Sequence, residues 1–356
     1  EYIRTAMKTR SHNFYIKPQS ASSSSSSSLR KTALSILLLY GIFSNSTSQS
    51  KHSVRAFATS SVNDSCDASS SSSTSIPTTT TTTNNKMDAS LKAVRRILPA
   101  QRPHWVGNAF NVYPVFADLA FQNELSPFLM FDYAAPKQFP PNEVKRGVGQ
   151  HPHRGFETVT LAFQGEVEHR DSTGNHDVIG PGDIQWMTAG RGIIHEEYHS
   201  TAFAKSGGTF EMCQLWVNLP AKHKMTKPSY QPILASHVPT AFLPLGTTKD
   251  SDESSIIAKV RVIAGELNGV KGPANTFSPV ELWDIQVPKK DSVVEVPVKE
   301  GHNCIAFVRR GGMEVLTNEG SQKVGPQAVA LMERSGTHLK FRTTSADTSI
   351  LIMGGE

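Results

Sequence analysis

Through the middle of the chain, short apolar runs alternate with turns. Residues 158–163 stop before Gly165, and 167–170 before Asp171-Ser-Thr-Gly174. Val178-Ile179 leads into Gly180-Pro-Gly-Asp183, and 184–188 ends before Gly190-Arg-Gly192, with 193–199 and 214–219 following. Upstream, 107–116 and 128–133 read as strands, and 87–98 as a basic helical or strand-like start closed by Pro99. Many short strands with Gly-rich turns between them predict an all-β barrel or sandwich. No long segment with a 3.6-residue period competes. Residues 220–248 carry five prolines and read as a linker with at most one short turn of helix. From Ile256 the strand pattern resumes at 280–287, 292–297, 303–309, 313–317, 328–332 and 349–353. The second half thus reads as a divergent copy of the first.

The first 86 residues follow another pattern. Seven serines run from 22 to 28, five from 69 to 73, and six threonines from 78 to 83. Such tracts bury too little apolar surface to offset chain entropy, so a disordered leader is expected. Within it, the 11-residue apolar run 33–43 follows Arg30-Lys31. That run is too short to span a bilayer and suits a signal core, while the basic, Ser-rich stretch 51–60 suits a transit segment. Residues 1–86 are therefore expected to direct the chain to an organelle, a plastid or mitochondrion. With Met87 as the start, the location becomes cytoplasm or nucleus.

Charge sharpens this division. Residues 1–100 hold 12 Lys/Arg and 4 Asp/Glu, whereas the rest holds 24 and 27, so the net +5 belongs to the leader. The folded part carries no general polyanion signal, and no direct nucleic-acid binding is expected. Three cysteines, Cys66, Cys213 and Cys304, have no CxxC spacing, which argues against a disulfide framework.

The candidate chemistry lies in His151-Pro-His153 and His195-Glu-Glu197. In a strand, side chains at i and i+2 share a face. Two strands carrying such pairs, facing each other inside a barrel, would gather three imidazoles and one carboxylate around one metal ion. That donor set suits Fe(II), Mn(II), Ni(II), Cu(II) or Zn(II), and without nearby thiolates it does not suit iron–sulfur clusters. Glu157 competes for the carboxylate position, since His-x-His-x-x-x-Glu is also the spacing of the first cupin motif. In an unbroken strand Glu157 lies ~13 Å beyond His153, whereas Glu197 lies ~7 Å from His195. Phe156, Phe163, Trp186 and Met187 read as barrel core, and Cys213 as a buried strand residue. Arg154 and Arg191 are candidates for the pocket mouth. His302 and His338 lack partners at i±2 and read as structural.

The stretches from His151 to Val159, from Pro181 to His195 and Leu215-Trp-Val-Asn-Leu219, supported by Leu125-Ser-Pro-Phe-Leu-Met-Phe-Asp-Tyr133 and Leu282-Trp-Asp284, resemble the pirin family of the cupin superfamily. The resemblance runs from about Arg96 to the end. It implies two tandem jelly-roll cupin barrels behind the leader. These are an N-terminal metal-binding domain at 87–219, a linker at 220–255, and a C-terminal domain at 256–356 expected to be cut short of the family's usual tail. It also implies metal ligands His151, His153, His195 and Glu197, with iron as the metal, Glu157 behind them, and a second barrel without metal.

Two roles come with the resemblance. One is dioxygenase chemistry of the quercetin 2,3-dioxygenase type on a flavonol and O2, with Glu197 or Glu157 as the catalytic carboxylate. The alternative is a non-enzymatic, iron-dependent redox sensor that binds a transcription factor or other protein. A monomer without a membrane span in its mature form is expected.

Overall fold

The computed structural model describes residues 90–117, 122–244 and 252–356. The expected leader and targeting segment, and Met87, lie outside them.

The strands of the described residues begin with β1 (Val94–Leu98), β2 (His104–Val106), β3 (Phe110–Phe116), β4 (Phe128–Phe139), β5 (Gly147–His153), β6 (Phe156–Gln164), β7 (Val167–Asp171) and β8 (His176–Ile179). Strands β9 (Ile184–Thr188), β10 (Ile193–His199), β11 (Gly208–Asn218) and β12 (Ser229–Ile233) follow. These build the first barrel, except for β1. One wall is a seven-stranded sheet in the order β12-β9-β6-β11-β4-β3-β2, and the other a four-stranded sheet in the order β5-β10-β7-β8. A short helix, Thr201–Ser206, is capped by Ser200, whose Oγ accepts from Phe203 N at 2.9 Å. It buries Phe203 among Phe110, Phe139 and Phe210 in an apolar plug.

The second barrel contains β13 (Thr240–Leu243), β14 (Ala258–Ala264), the small hairpin β15 (Glu266–Leu267) and β16 (Val270–Lys271), β17 (Val280–Val287) and β18 (Val293–Pro297). It continues through β19 (Asn303–Arg310), β20 (Met313–Thr317), β21 (Gly320–Val324), β22 (Val329–Met332), β23 (His338–Thr343) and β24 (Thr348–Gly355). Its walls run β1-β22-β19-β24-β17-β14-β13 and β18-β23-β20-β21.

Two expected boundaries change. Residues 94–98 belong to the second barrel, where β1 pairs antiparallel with β22, Leu98 opposite Val329. Residues 220–255 are not a plain linker: β12 pairs with β9 of the first barrel and β13 with β14 of the second. Both are edge strands, where a proline such as Pro232 is tolerated because no inner ladder bond is lost.

The two seven-stranded sheets pack face to face. Alternation along β6 turns Val159 and Leu161 outward from the first barrel, beside Trp186, Leu215 and Phe131, against Ile305, Phe307 and Leu351 of the second. Phe307 meets Phe131 edge-on at 4.9 Å and Tyr133 at 5.3 Å. A buried ion pair joins the barrels beside this layer. Arg309 Nη1 donates to Glu211 Oε1 at 2.7 Å, and that carboxylate also accepts from Tyr133 and Gln164. The Arg309 guanidinium lies 3.9 Å from the centre of the Phe163 ring.

Candidate metal centre

Strands β5 and β10 do not face each other across the barrel; they are antiparallel neighbours in one wall, His195 opposite His151 and Ile193 opposite His153. Gly147 permits this close pairing, since a Cβ there would come within 2.3 Å of the Glu197 carbonyl oxygen and the Tyr198 ring. The loop between β9 and β10 is pinned too. Gly190, at φ +52°, lies against the Thr226 carbonyl, which accepts from Arg191 N at 2.9 Å.

His151, His153 and His195 converge, one ligand atom from each within 4.8 Å of the others. Ring centroids are 4.4 Å apart for His151–His195 and 4.8 Å for the other two pairs. Burial, then the neighbouring His151, pushes the His153 pKa down to about 3. Burial and the surrounding imidazoles hold His195 well below its ordinary value. Both are neutral imidazoles at neutral pH, the form that ligates metals. His151 Nδ1 stands 2.8 Å from the Gly149 carbonyl. A carbonyl only accepts, so Nδ1 carries a hydrogen and Nε2 is the nitrogen left for a metal. His195 Nε2 is buried with no hydrogen-bond partner. An orphaned ring nitrogen beside two other imidazoles fits a metal ion.

Glu197 does not join that trio. It forms a second, fully buried group with His195 and His169, again with ligand atoms within 4.8 Å. Its Oε1 accepts from Gln185 Nε2 at 3.3 Å and lies 3.2 Å from Thr160 Oγ1, and Oε2 accepts from Gln214 Nε2 at 3.2 Å. His195 is common to both groups.

Glu157 is elsewhere. It pairs across β6 and β9 with Thr188, on the sheet face that carries Val159 and Leu161, and accepts from Thr188 Oγ1 at 2.7 Å. Burial pushes its carboxyl up to about 7. The interior face of β6 carries Thr158 and Thr160 instead.

His169 was not anticipated. It stands fully buried on β7, opposite Glu197, with Asp171 two residues on. Its signal was a third i, i+2 pair, His169-Arg-Asp171. Phe156 is less a core residue than a flank. It stacks on Trp216 at 4.5 Å, and both rings lie within 5.2 Å of His153. Trp186 and Met187 are fully buried, but on opposite faces of β9: Trp186 between the barrels, Met187 in a small cluster with Ala189 and Ile193. Arg154 and Arg191 are exposed on loops beside His153, Arg154 against Met225 Sδ at 3.3 Å. Cys213 is buried, as expected of a strand residue.

Among the described residues, both groups able to hold an ion lie in the first barrel. In the second, His302 Nδ1 stands 3.3 Å from Glu281 Oε2, and His338 Nδ1 3.0 Å from Thr337 Oγ1. No helix among the described residues is long and apolar enough to cross a membrane.

Comparison with known proteins places this site in context. The family model described as Pirin matches residues 109–217. A Pseudomonas aeruginosa protein provisionally named quercetin 2,3-dioxygenase is 45% identical over 266 residues, covering 75% of this chain and 87% of that one. Pirin-1 of Arabidopsis thaliana is 31% identical, covering 66% and 74%. The crystal structure of quercetin 2,3-dioxygenase from Acinetobacter baumannii superposes with a TM-score of 0.69 at 43% identity, covering 75% of this chain and 88% of that one.

Proposed function

This chain belongs to the pirin family, and from that premise we propose that it is a bicupin whose first barrel holds one iron ion and supports quercetin 2,3-dioxygenase-type oxidation of a flavonol. The proposed ligands are His151, His153, His195 and Glu197. The observation that carries the reading is the convergence of three imidazoles, His151, His153 and His195, with His195 Nε2 buried and without a hydrogen-bond partner. Relatives named as quercetin 2,3-dioxygenases support the substrate class. The donor set also accommodates Mn, Ni, Cu or Zn.

A metal bound there supplies Lewis acidity toward the flavonol's enolate oxygen and a path for electron density to O2. The chain's own groups supply the rest. Glu197 is the proposed acceptor of the flavonol hydroxyl proton, and the amides of Gln185 and Gln214 keep its carboxylate oriented. Phe156 and Trp216, stacked beside His153, offer a flat aromatic flank suited to a planar ring system.

Oxygen uptake by the purified, metal-replete full chain with quercetin tests this. Uptake that depends on metal and disappears in His195→Ala is expected. Metal bound with no uptake would favour the regulatory alternative. In that reading a one-unit change of charge on the iron alters the field around the site and, with it, the binding of a protein partner.

A further inference from the structure

We propose that His169 and Asp171 fix the tautomer of His195, leaving its Nε2 lone pair for the metal. The inference rests on the reading of His195 as a ligand and adds two positioning residues to that site.

Asp171 is the fixed end of this line of side chains. Its Oδ1 accepts from Thr173 N at 2.8 Å, Thr173 Oγ1 at 2.7 Å and Asn175 N at 3.2 Å, and its Oδ2 from Asn175 Nδ2 at 2.8 Å. A group accepting from so many donors is a carboxylate with no proton to give. His169 Nε2 stands 3.1 Å from Asp171 Oδ2, so this nitrogen carries the hydrogen. His169 Nδ1 is then an acceptor. The Gln185 amide nitrogen donates to it at 3.1 Å, and His195 Nδ1 faces the same atom at 3.4 Å, where an unprotonated nitrogen would set two lone pairs against each other. His195 therefore donates from Nδ1, and its Nε2 is unprotonated.

The opposite tautomer would place an N–H at the buried, unpartnered His195 Nε2, leaving a donor unsatisfied. A bare lone pair there is what a metal requires. His169 is itself held in place. Its ring stacks on Tyr230 at 4.9 Å and 21°, and Tyr230 donates to Asp177 Oδ2 at 3.2 Å. The line from Asp171 through His169 to His195 is the same device that Gly149 provides for His151, made from side chains in place of a backbone carbonyl.

The test uses the full chain labelled with 15N-histidine, first stripped of metal and then loaded with Zn(II) as a diamagnetic probe. Two-bond 1H–15N correlations report which nitrogen of each ring is protonated. His195 is expected to carry its proton on Nδ1 and His169 on Nε2, already in the metal-free protein. His169→Phe keeps a ring but removes the acceptor, and should weaken Zn(II) binding roughly 10–100-fold in a chelator competition. His169→Asn returns an acceptor oxygen near the former Nδ1 and should recover most of that loss. Three results would overturn the proposal: a metal-free His195 protonated on Nε2, a His169→Phe protein that binds Zn(II) like wild type, or a second zinc equivalent that His169→Phe removes. Failure of the ligand reading looks different, because His195→Ala would then keep its zinc whatever tautomers the wild-type rings show.

Discussion

His151 and His195 stand opposite one another on neighbouring antiparallel strands, their ring centroids 4.4 Å apart. Because the cluster is built from a cross-strand pair, losing either ring removes a donor without disturbing the ladder. Purified protein is expected to contain close to one transition-metal ion per chain, and His151→Ala or His195→Ala to lose most of it. Elemental analysis checks the content. Melting curves should show both variants folded, since neither side chain belongs to the apolar clusters of the barrels.

The two glutamates should separate cleanly. Glu197→Gln replaces an anionic donor beside His195 with an uncharged amide and should weaken metal binding strongly. Glu157→Gln acts on the opposite face of β6 and should shift affinity by no more than a second layer of contacts does, roughly 10–100-fold. Metal titration into both apo variants decides it, and loss of metal from Glu157→Gln alone would reverse the assignment.

Glu157 also predicts a pH effect. Its folded pKa, about 7, lies above the ordinary value of 4.5. The folded state therefore holds the proton longer, and stability falls as pH rises from about 4.5 to about 7. Glu157→Gln cannot ionise, so its stability relative to wild type should improve across that window, by about 1–3 kcal/mol at the top. Melting temperatures of both proteins between pH 4.5 and 8 measure this; parallel curves would contradict it.

Glu211 carries the opposite sign. Despite its burial, Arg309 and the donors Gln164 and Tyr133 hold its carboxyl below the ordinary value. Its contribution is present above about pH 4.5 and is lost as pH falls through the folded value. Glu211→Ala leaves Arg309 buried without its closest partner, and should cost about 3–5 kcal/mol at pH 7. Denaturant unfolding at pH 7 and pH 4 should show the gap from wild type narrowing in acid.

The second barrel is expected to contribute no metal. His302 is engaged with Glu281, and both ion-holding groups among the described residues lie in the first barrel. His302→Ala should leave metal content at the wild-type value; a fractional loss would place an ion there.

The histidine pairs were legible because a strand's two-residue period depends only on local backbone. The same rule mishandled Glu157. Counting on from His153 puts it on the ligand face, but Gly155, at φ +80°, breaks the strand between β5 and β6, and the count restarts. Which strands lie side by side was not legible, since pairing is decided by contacts distant in sequence. Hence β5 and β10 emerged as neighbours, and β1 pairs with residues more than 200 positions away. Prolines made β12 and β13 look like linker, because a composition rule cannot recognise an edge strand. His169 escaped because the reading of its strand stopped at Arg170, one residue short of Asp171.

That long-range pairing has a consequence for synthesis. Strand β1 leaves the ribosome before either barrel exists, and its partner β22 emerges only more than 200 residues later. For most of that time β1 is an unpaired strand edge on a growing chain, the kind of surface that recruits other strands. Arg95 and Arg96 at its centre carry charges that oppose such pairing, and both find acidic partners, Glu333 and Glu124, in the finished fold. The second barrel can close only when these two distant strands meet, so a chain stalled before β22 would leave that edge open.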